Sequence, residues 1–108
     1  MSTLRNSVRL IGRVGNNPEV KTFDNGNRVA SFSLATNEVY YNDQGEKQET
    51  TQWHNLVAWG KTAEIIQKYV EKGKEIAIEG KLTYRQYEDK DGNKRYITEI
   101  VMSEVVLF

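Results

Sequence analysis

Side chains that alternate with a period of two, segment after segment, commit this chain to strands around a small core. In NSVRLIGRV, Val8, Leu10, Gly12 and Val14 oppose Ser7, Arg9, Ile11 and Arg13. In RVASFSLATNEVYY, Ala30, Phe32 and Leu34 fall on one face, and in KEIAIEGKLTYRQY so do Ile76, Ile78, Gly80, Leu82 and Tyr84. Successive strand side chains point to opposite faces, so each apolar set is read as facing inward. Only TAEIIQKYVEKG carries a helical period, with Ala63, Ile66 and Val70 on one stripe. Thr62 is expected to cap its start, and Gly73 to sit just past its end.

The remaining segments complete the order. A short extended piece, VKTF, precedes the turn DNGN, a hairpin signal. The polar loop NDQGEKQE joins the second long strand to an antiparallel third, TTQWHNLVAW. EDKDGNK, with its Asp91-Gly92 pair, joins the last two strands, and the second of these runs to the terminal VVLF. Three strands, a helix too short for a parallel crossover and two more strands give an all-β fold with one short helix. This is the element order of the OB-fold, a five-stranded, partly open Greek-key barrel with its helix between strands 3 and 4. Gly12 and Gly80 suit sharp bends where a small barrel curls.

The 108 residues are expected to form one domain, without linker, repeat or low-complexity segment. That length suffices to bury roughly two-thirds of the unfolded surface. There is no cysteine for a disulfide or a thiolate metal site, no apolar run near the ~20 residues of a membrane span, and no signal-peptide core. A cytoplasmic location is the simplest expectation. Fifteen basic residues balance fifteen acidic ones, which counts against a nucleic-acid binder of the strongly basic kind, with pI above about 9. A binder with its cations gathered on one surface remains open.

The third strand puts the largest side chains where the core is not. His54, Leu56 and Ala58 share the inward face, so Trp53, Asn55, Val57 and Trp59 face the other way. On the next strand Tyr87 shares a face with Arg85 and Thr83, Lys61 follows Trp59 by two residues, and Tyr40 lies at the exit of strand two. Tyr40, Trp53, Trp59 and Tyr87 are expected to line one continuous surface, with Arg85 and Lys61 between them. Alternation alone leaves open a second core or a subunit interface, since interfaces are also rich in aromatics. The polar company favours a wet, cationic, aromatic surface suited to unpaired nucleobases, where each stacked base is worth ~1–3 kcal/mol. The hairpin YEDKDGNKRY offers Lys90, Lys94 and Arg95 to a polyanion, although its acids equally suit a solvated turn.

Chemistry-bearing motifs fail on inspection. WGKT matches only the end of a phosphate-cradling loop, whose earlier glycine is replaced by Asn55. Registering DKDG as a calcium loop puts Tyr87 first and Thr98 where a bidentate glutamate belongs. His54, the only histidine, is read as structural. No catalytic residue, metal ligand or cofactor is expected. A nuclease would need clustered carboxylates, and an oligosaccharide- or protein-binding barrel could use the same aromatics.

These residues resemble the DNA-binding domain of bacterial single-stranded DNA-binding proteins nearly end to end, through NSVRLIGRVGNNPEVK, GNRVASFSLATNEVY, TQWHNLVAWGKTAEIIQKYVEKG and IEGKLTYRQYEDKDGNKRYITEIV. The most specific part is the W-H-x-x-V-x-aromatic-G-K core leading into the helix. The resemblance implies sequence-independent binding of single-stranded DNA in replication, recombination and repair. It places base-stacking aromatics at Tyr40, Trp53, Trp59 and Tyr87 and phosphate-contacting cations at Lys61, Arg85, Arg95, Lys21 and Arg5. Thr83 stands where a relative may carry a further cation. The resemblance also implies a structural His54 at subunit contacts and a homotetramer, with a dimer as the alternative, assembled through sheet faces that include Ile11. The family's linker and acidic, apolar-ended tip have no counterpart in SEVVLF, so tail-mediated partners are not expected of these residues, whether the chain is trimmed or naturally tailless. A runner-up of the same fold is a tailless replication-restart accessory protein working with a helicase or primase.

Overall fold

In the computed structural model, which describes residues 4–108, the alternating segments become strands β1 (Val8–Val14), β2 (Glu19–Thr22), β3 (Arg28–Tyr41) and β4 (Lys47–Trp59). Helix α1 (Gly60–Tyr69) follows, then β5 (Glu75–Glu88) and β6 (Lys94–Leu107). The hydrogen-bonded order is β1-β5-β6-β4-β3-β2, and an additional β1–β3 pairing closes the first five into a ring. The short β2 is an appendix to β3, so the five-stranded OB-fold barrel is present with its helix between the third and fourth barrel strands. Two joints of the ring are short. β1 meets β3 at Arg13↔Ala35 and Val14↔Leu34, and β4 meets β6 in parallel at Leu56↔Ile100 and Val57↔Val101.

The inward-facing set matches the alternation. Val14, Ala30, Phe32, Leu34, Leu56, Ala58, Ile76, Ile78, Ile100 and Met102 are buried together, and α1 closes one end of the barrel with Ala63 and Ile66, followed by Val70. Leu34, Leu56, Ile66 and Ile76 are fully buried, each worth about 1.5–3 kcal/mol of transfer free energy. Gly12 and Gly80 serve close approach. A Cβ on Gly12 would lie 2.2 Å from the Ala35 carbonyl oxygen, and one on Gly80 would lie 2.3 Å from that of Val101. The β5–β6 register shifts at Glu79/Gly80, a bulge that bends the strand where the barrel turns.

Four local expectations are corrected. Thr62 does not cap the helix: α1 begins two residues earlier at Gly60, whose φ of +61° lets β4 turn directly into it, and the capping position is Trp59, without a side-chain cap bond. Gly73 does not follow the helix end. Val70 is already extended, and Gly73, with φ +89°, belongs to the next turn and donates its N–H to the Val14 carbonyl at 2.8 Å. Tyr84 is 71% exposed rather than inward, because β5 has by then left the barrel and runs with β6 as a free arm. A second arm, formed by β3 and β4, extends to a tight turn at 42–46, so Lys47, Gln48 and Glu49 are strand rather than loop. Asn42 closes that turn by accepting the Gln44 and Glu46 N–H groups on its Oδ1.

Candidate nucleic-acid interface

Register decides which side chains share a face. Residues directly opposite on antiparallel strands point the same way, so Trp59 goes with Val29, Val57 with Ser31, Asn55 with Ser33 and Trp53 with Ala35. Glu19 and Lys21 join this set through Ser31 and Val29. Across the parallel joint, Val57 goes with Val101, which aligns with Lys81 and hence with Thr83, Arg85, Tyr87, Glu99 and Arg95. All of these lie on the outer side of the sheet β2-β3-β4-β6-β5, opposite the core.

On this outer face Trp53, Trp59 and Tyr87 are exposed by 63%, 50% and 45%. Trp53 and Trp59 stand six residues apart, about 20 Å along the strand. Between and beside them run two adjoining grooves of about 590 and 340 Å³, which share Glu19, Ser31, Arg85 and Glu99. The larger is flanked by Trp59 and Lys21, and the smaller is lined by Asn55, Ser33 and Asn16. Trp53 has a made seat: its ring lies across Gly15, where a Cβ would come within 2.4 Å of Cζ3.

Tyr40 departs from the expected single surface. It is 52% exposed but pairs with Gln48, which puts it on the same side of β3 as Leu34 and Phe32, opposite Trp53 and Trp59. The β3–β4 arm therefore carries aromatics on both sides. Lys61 is exposed in the first turn of α1. Arg5 is exposed just before Asn6, whose side chain bonds both the N–H and the carbonyl of Leu82, which ties this segment to β5 and outside the groove lining.

The expected free cations are partly committed within the protein. Arg85 donates through Nε and Nη2 to Glu99 at 3.0 and 3.2 Å, a fork that fixes the guanidinium in the groove lining and raises its pKa through that hydrogen bond and charge. Arg95 donates through Nε to Asp89 at 2.9 Å, and this bond holds the Asp89 carboxyl below its ordinary range, with the Asn93 N–H adding to the effect. The Asp89 Oδ1 also accepts the N–H groups of Asp91 and Asn93, which fixes the hairpin tip. The Asn55 amide reaches the Thr98 carbonyl at 3.5 Å. His54 shares a 2.9 Å hydrogen bond with the Thr36 hydroxyl, on the face away from the tryptophans.

One groove residue escapes the sequence assignment. Phe23 stands against Trp59 with ring centroids 6.1 Å apart and planes 16° from parallel. Its signal was the spacing of Lys21 and Phe23 in VKTF, two residues apart on one side of a short strand.

An OB-fold barrel with aromatics, amides and cations on one outer sheet face defines a class of single-strand nucleic-acid-binding modules. The chain belongs to the single-strand binding protein family, whose model matches residues 5–108. It is 46% identical over 101 residues to Single-stranded DNA-binding protein 1 of Chlorobaculum tepidum, a match covering 93% of this chain and 62% of that one. It is 48% identical over 102 residues to the Single-stranded DNA-binding protein of Bacteroides thetaiotaomicron, covering 93% and 63%. The chain thus spans less than two-thirds of the length of these curated relatives. Among solved structures it superposes on a Plasmodium falciparum SSB in complex with ssDNA, with a TM-score of 0.88, 33% identity, and coverage of 100% of this chain and 97% of that one. It also resembles a deletion mutant of the single-stranded DNA binding protein from Thermus aquaticus, with a TM-score of 0.82, 28% identity, and coverage of 95% and 50%.

Proposed function

We propose that this chain is a non-catalytic, sequence-independent binder of single-stranded DNA that coats and protects exposed strands in replication, recombination and repair. The observation that carries this reading is the outer face on which Trp53, Trp59 and Tyr87 stand exposed around grooves containing Asn55 and Arg85. Unpaired bases stack on the rings, with Tyr40 engaged where the strand passes around the edge of the β3–β4 arm. Phosphates approach Lys21, Lys61, Arg85 and Arg95, and Arg5 at the β5 margin. A duplex hides its base faces and binds poorly. Occupying the single-stranded state blocks re-annealing by mass action.

The 1–108 segment acts as one such domain, in the cytoplasm and with the nucleoid. It assembles with copies of itself, a homotetramer in our reading, through the outer face of β1 and its neighbours. There Ile11 and Val106 are exposed beside the Arg9–Glu79 ion pair.

Titration with poly(dT) tests the central claim. Indole emission should be strongly quenched, and Trp59→Ala should weaken binding by about 1–3 kcal/mol with the fold intact. Confirmed binding with unchanged emission overturns the assigned face.

A further inference from the structure

We infer that Phe23 is a further base-contacting residue, forming with Trp59 a two-ring platform that carries the single strand across β2. The inference rests on the single-strand-binding reading above and extends its path by one aromatic beyond the residues already assigned.

Phe23 does not belong to the core. It stands one residue past β2 on the outer face, 46% exposed. A large apolar ring left half in water on a four-residue edge strand contributes little to the barrel. What it touches is Trp59, itself 50% exposed. At 6.1 Å between centroids the near-parallel rings are offset and cover each other only in part, so the pair offers two neighbouring stacking surfaces where Trp59 alone would offer one.

The backbone that carries the ring is also held in place. The Phe23 N–H donates to the Asn27 carbonyl at 2.8 Å, and its own carbonyl accepts the Gly26 N–H at 2.8 Å. Gly26, at φ +88°, supplies the left-handed turn that closes this hairpin. Asn25 adds an Oδ1 acceptor for the Asn27 N–H at 3.0 Å. The aromatic thus projects from a pinned turn and needs little ordering when a base arrives. Lys21 lies two residues earlier on the same side of β2, about 7 Å along the strand. A ring and a cation at that offset suit one nucleotide, the base on the open face of Phe23 and the phosphate near the ammonium. Base stacking requires only a flat, accessible π-face, so the platform adds affinity without sequence preference.

The experiment compares wild type, Phe23→Tyr, Phe23→Leu and Phe23→Ala by titration with dT oligomers, with melting temperatures measured in parallel. Leucine keeps apolar support under Trp59 but has no ring, which separates direct contact from buttressing. Phe23→Ala and Phe23→Leu should each weaken binding about five-fold or more while Phe23→Tyr stays close to wild type, all four melting together. An oligomer carrying 5-iododeoxyuridine should photocross-link to Phe23 itself. If Phe23→Leu binds like wild type while Phe23→Ala is weak, the ring only props Trp59 and the inference is overturned. Wild-type affinity in both variants overturns it as well, with single-strand binding left standing. A wild-type chain that ignores dT overturns both.

Discussion

Gly15 is the floor of the Trp53 seat, and replacing it with alanine should damage DNA binding while sparing the fold. The new methyl would lie 2.4 Å from Cζ3 of Trp53 and 2.6 Å from Oγ of Ser33. Carbon atoms pack at about 3.5–4.0 Å, so both neighbours have to give, Trp53 by about 1 Å or more. Ser33 is the less able to yield. Its hydroxyl donates to Asn16 Oδ1 at 2.7 Å, and its N–H donates to the same oxygen at 2.8 Å. Trp53, 63% exposed, is free to swing. The backbone at Gly15 is not in the left-handed region, so alanine adds no φ strain and removes some freedom from the unfolded chain, worth about 0.4–1 kcal/mol. The contact with the held Ser33 oxygen persists after Trp53 has swung away, so the domain should stay folded but lose about 1–3 kcal/mol, the usual cost of a small-to-large change, less that entropy gain. Losing the positioned indole forfeits one stacked base, about 1–3 kcal/mol or roughly 5- to 150-fold in Kd. The assay is a dT-oligomer titration of Gly15→Ala beside Trp53→Ala and the double variant, with thermal melts as the fold control. The two single variants should weaken binding to a similar extent, and the double variant should add little. Wild-type affinity in Gly15→Ala would show that the seat does not matter, and a collapsed melt would show that Gly15 serves the barrel instead.

Glu99→Gln should release Arg85 from its internal counterion, tighten binding at low salt and steepen the fall of log K with log salt by about 0.7, one counterion's worth for a single strand; an unchanged slope refutes it. Asp89 should titrate below the ordinary aspartate value of about 3.9, because Arg95 bonds its charged form. Its folded value being the lower one, the hairpin clamp is present above the unfolded value and is lost as pH falls through the folded one. Carboxyl NMR should show Arg95→Ala moving the midpoint back up, and a wild-type midpoint at or above the ordinary value sinks the pairing. Gly80→Ala should destabilise the chain by about 1–3 kcal/mol in denaturant unfolding, since its methyl meets the fixed Val101 carbonyl rather than a movable side chain; an unchanged midpoint means that the bulge relaxes.

The barrel was legible in the chain wherever one face of a strand meets the core. Ala30, Phe32 and Leu34, or Ile76 and Ile78, announce their side because water lies only on the other. Beyond the rim that asymmetry ends. The β3–β4 and β5–β6 arms are solvated on both sides, so Lys47–Glu49 reads as loop and Tyr84 as core. Trp53 and Trp59 were correctly placed outward because both lie on a strand whose other face carries Leu56 and Ala58. Tyr40 belongs with Phe32 and Leu34 by the alternation of β3 itself, unbroken to the turn at 42–46; reading it as the exit of the strand rather than as a member of it puts it on the wrong side. The pairs Arg85–Glu99 and Arg95–Asp89 depend on how strand and turn fold back, so the sequence showed cations where the structure shows cations already shared. Phe23 was hidden by brevity, since a four-residue strand carries too few alternations to declare a face.

The parallel joint between β4 and β6 holds by only two residue pairs, and Val57 and Val101 of that joint also line the larger groove. A nucleotide chain draped over them would span one of the two thinnest parts of the hoop from outside, much as a clasp spans the gap in a bracelet. Occupancy should therefore slow amide exchange at Leu56–Val57 and Ile100–Val101 more than elsewhere in the barrel. A strand bound there would in turn hold its shelter shut.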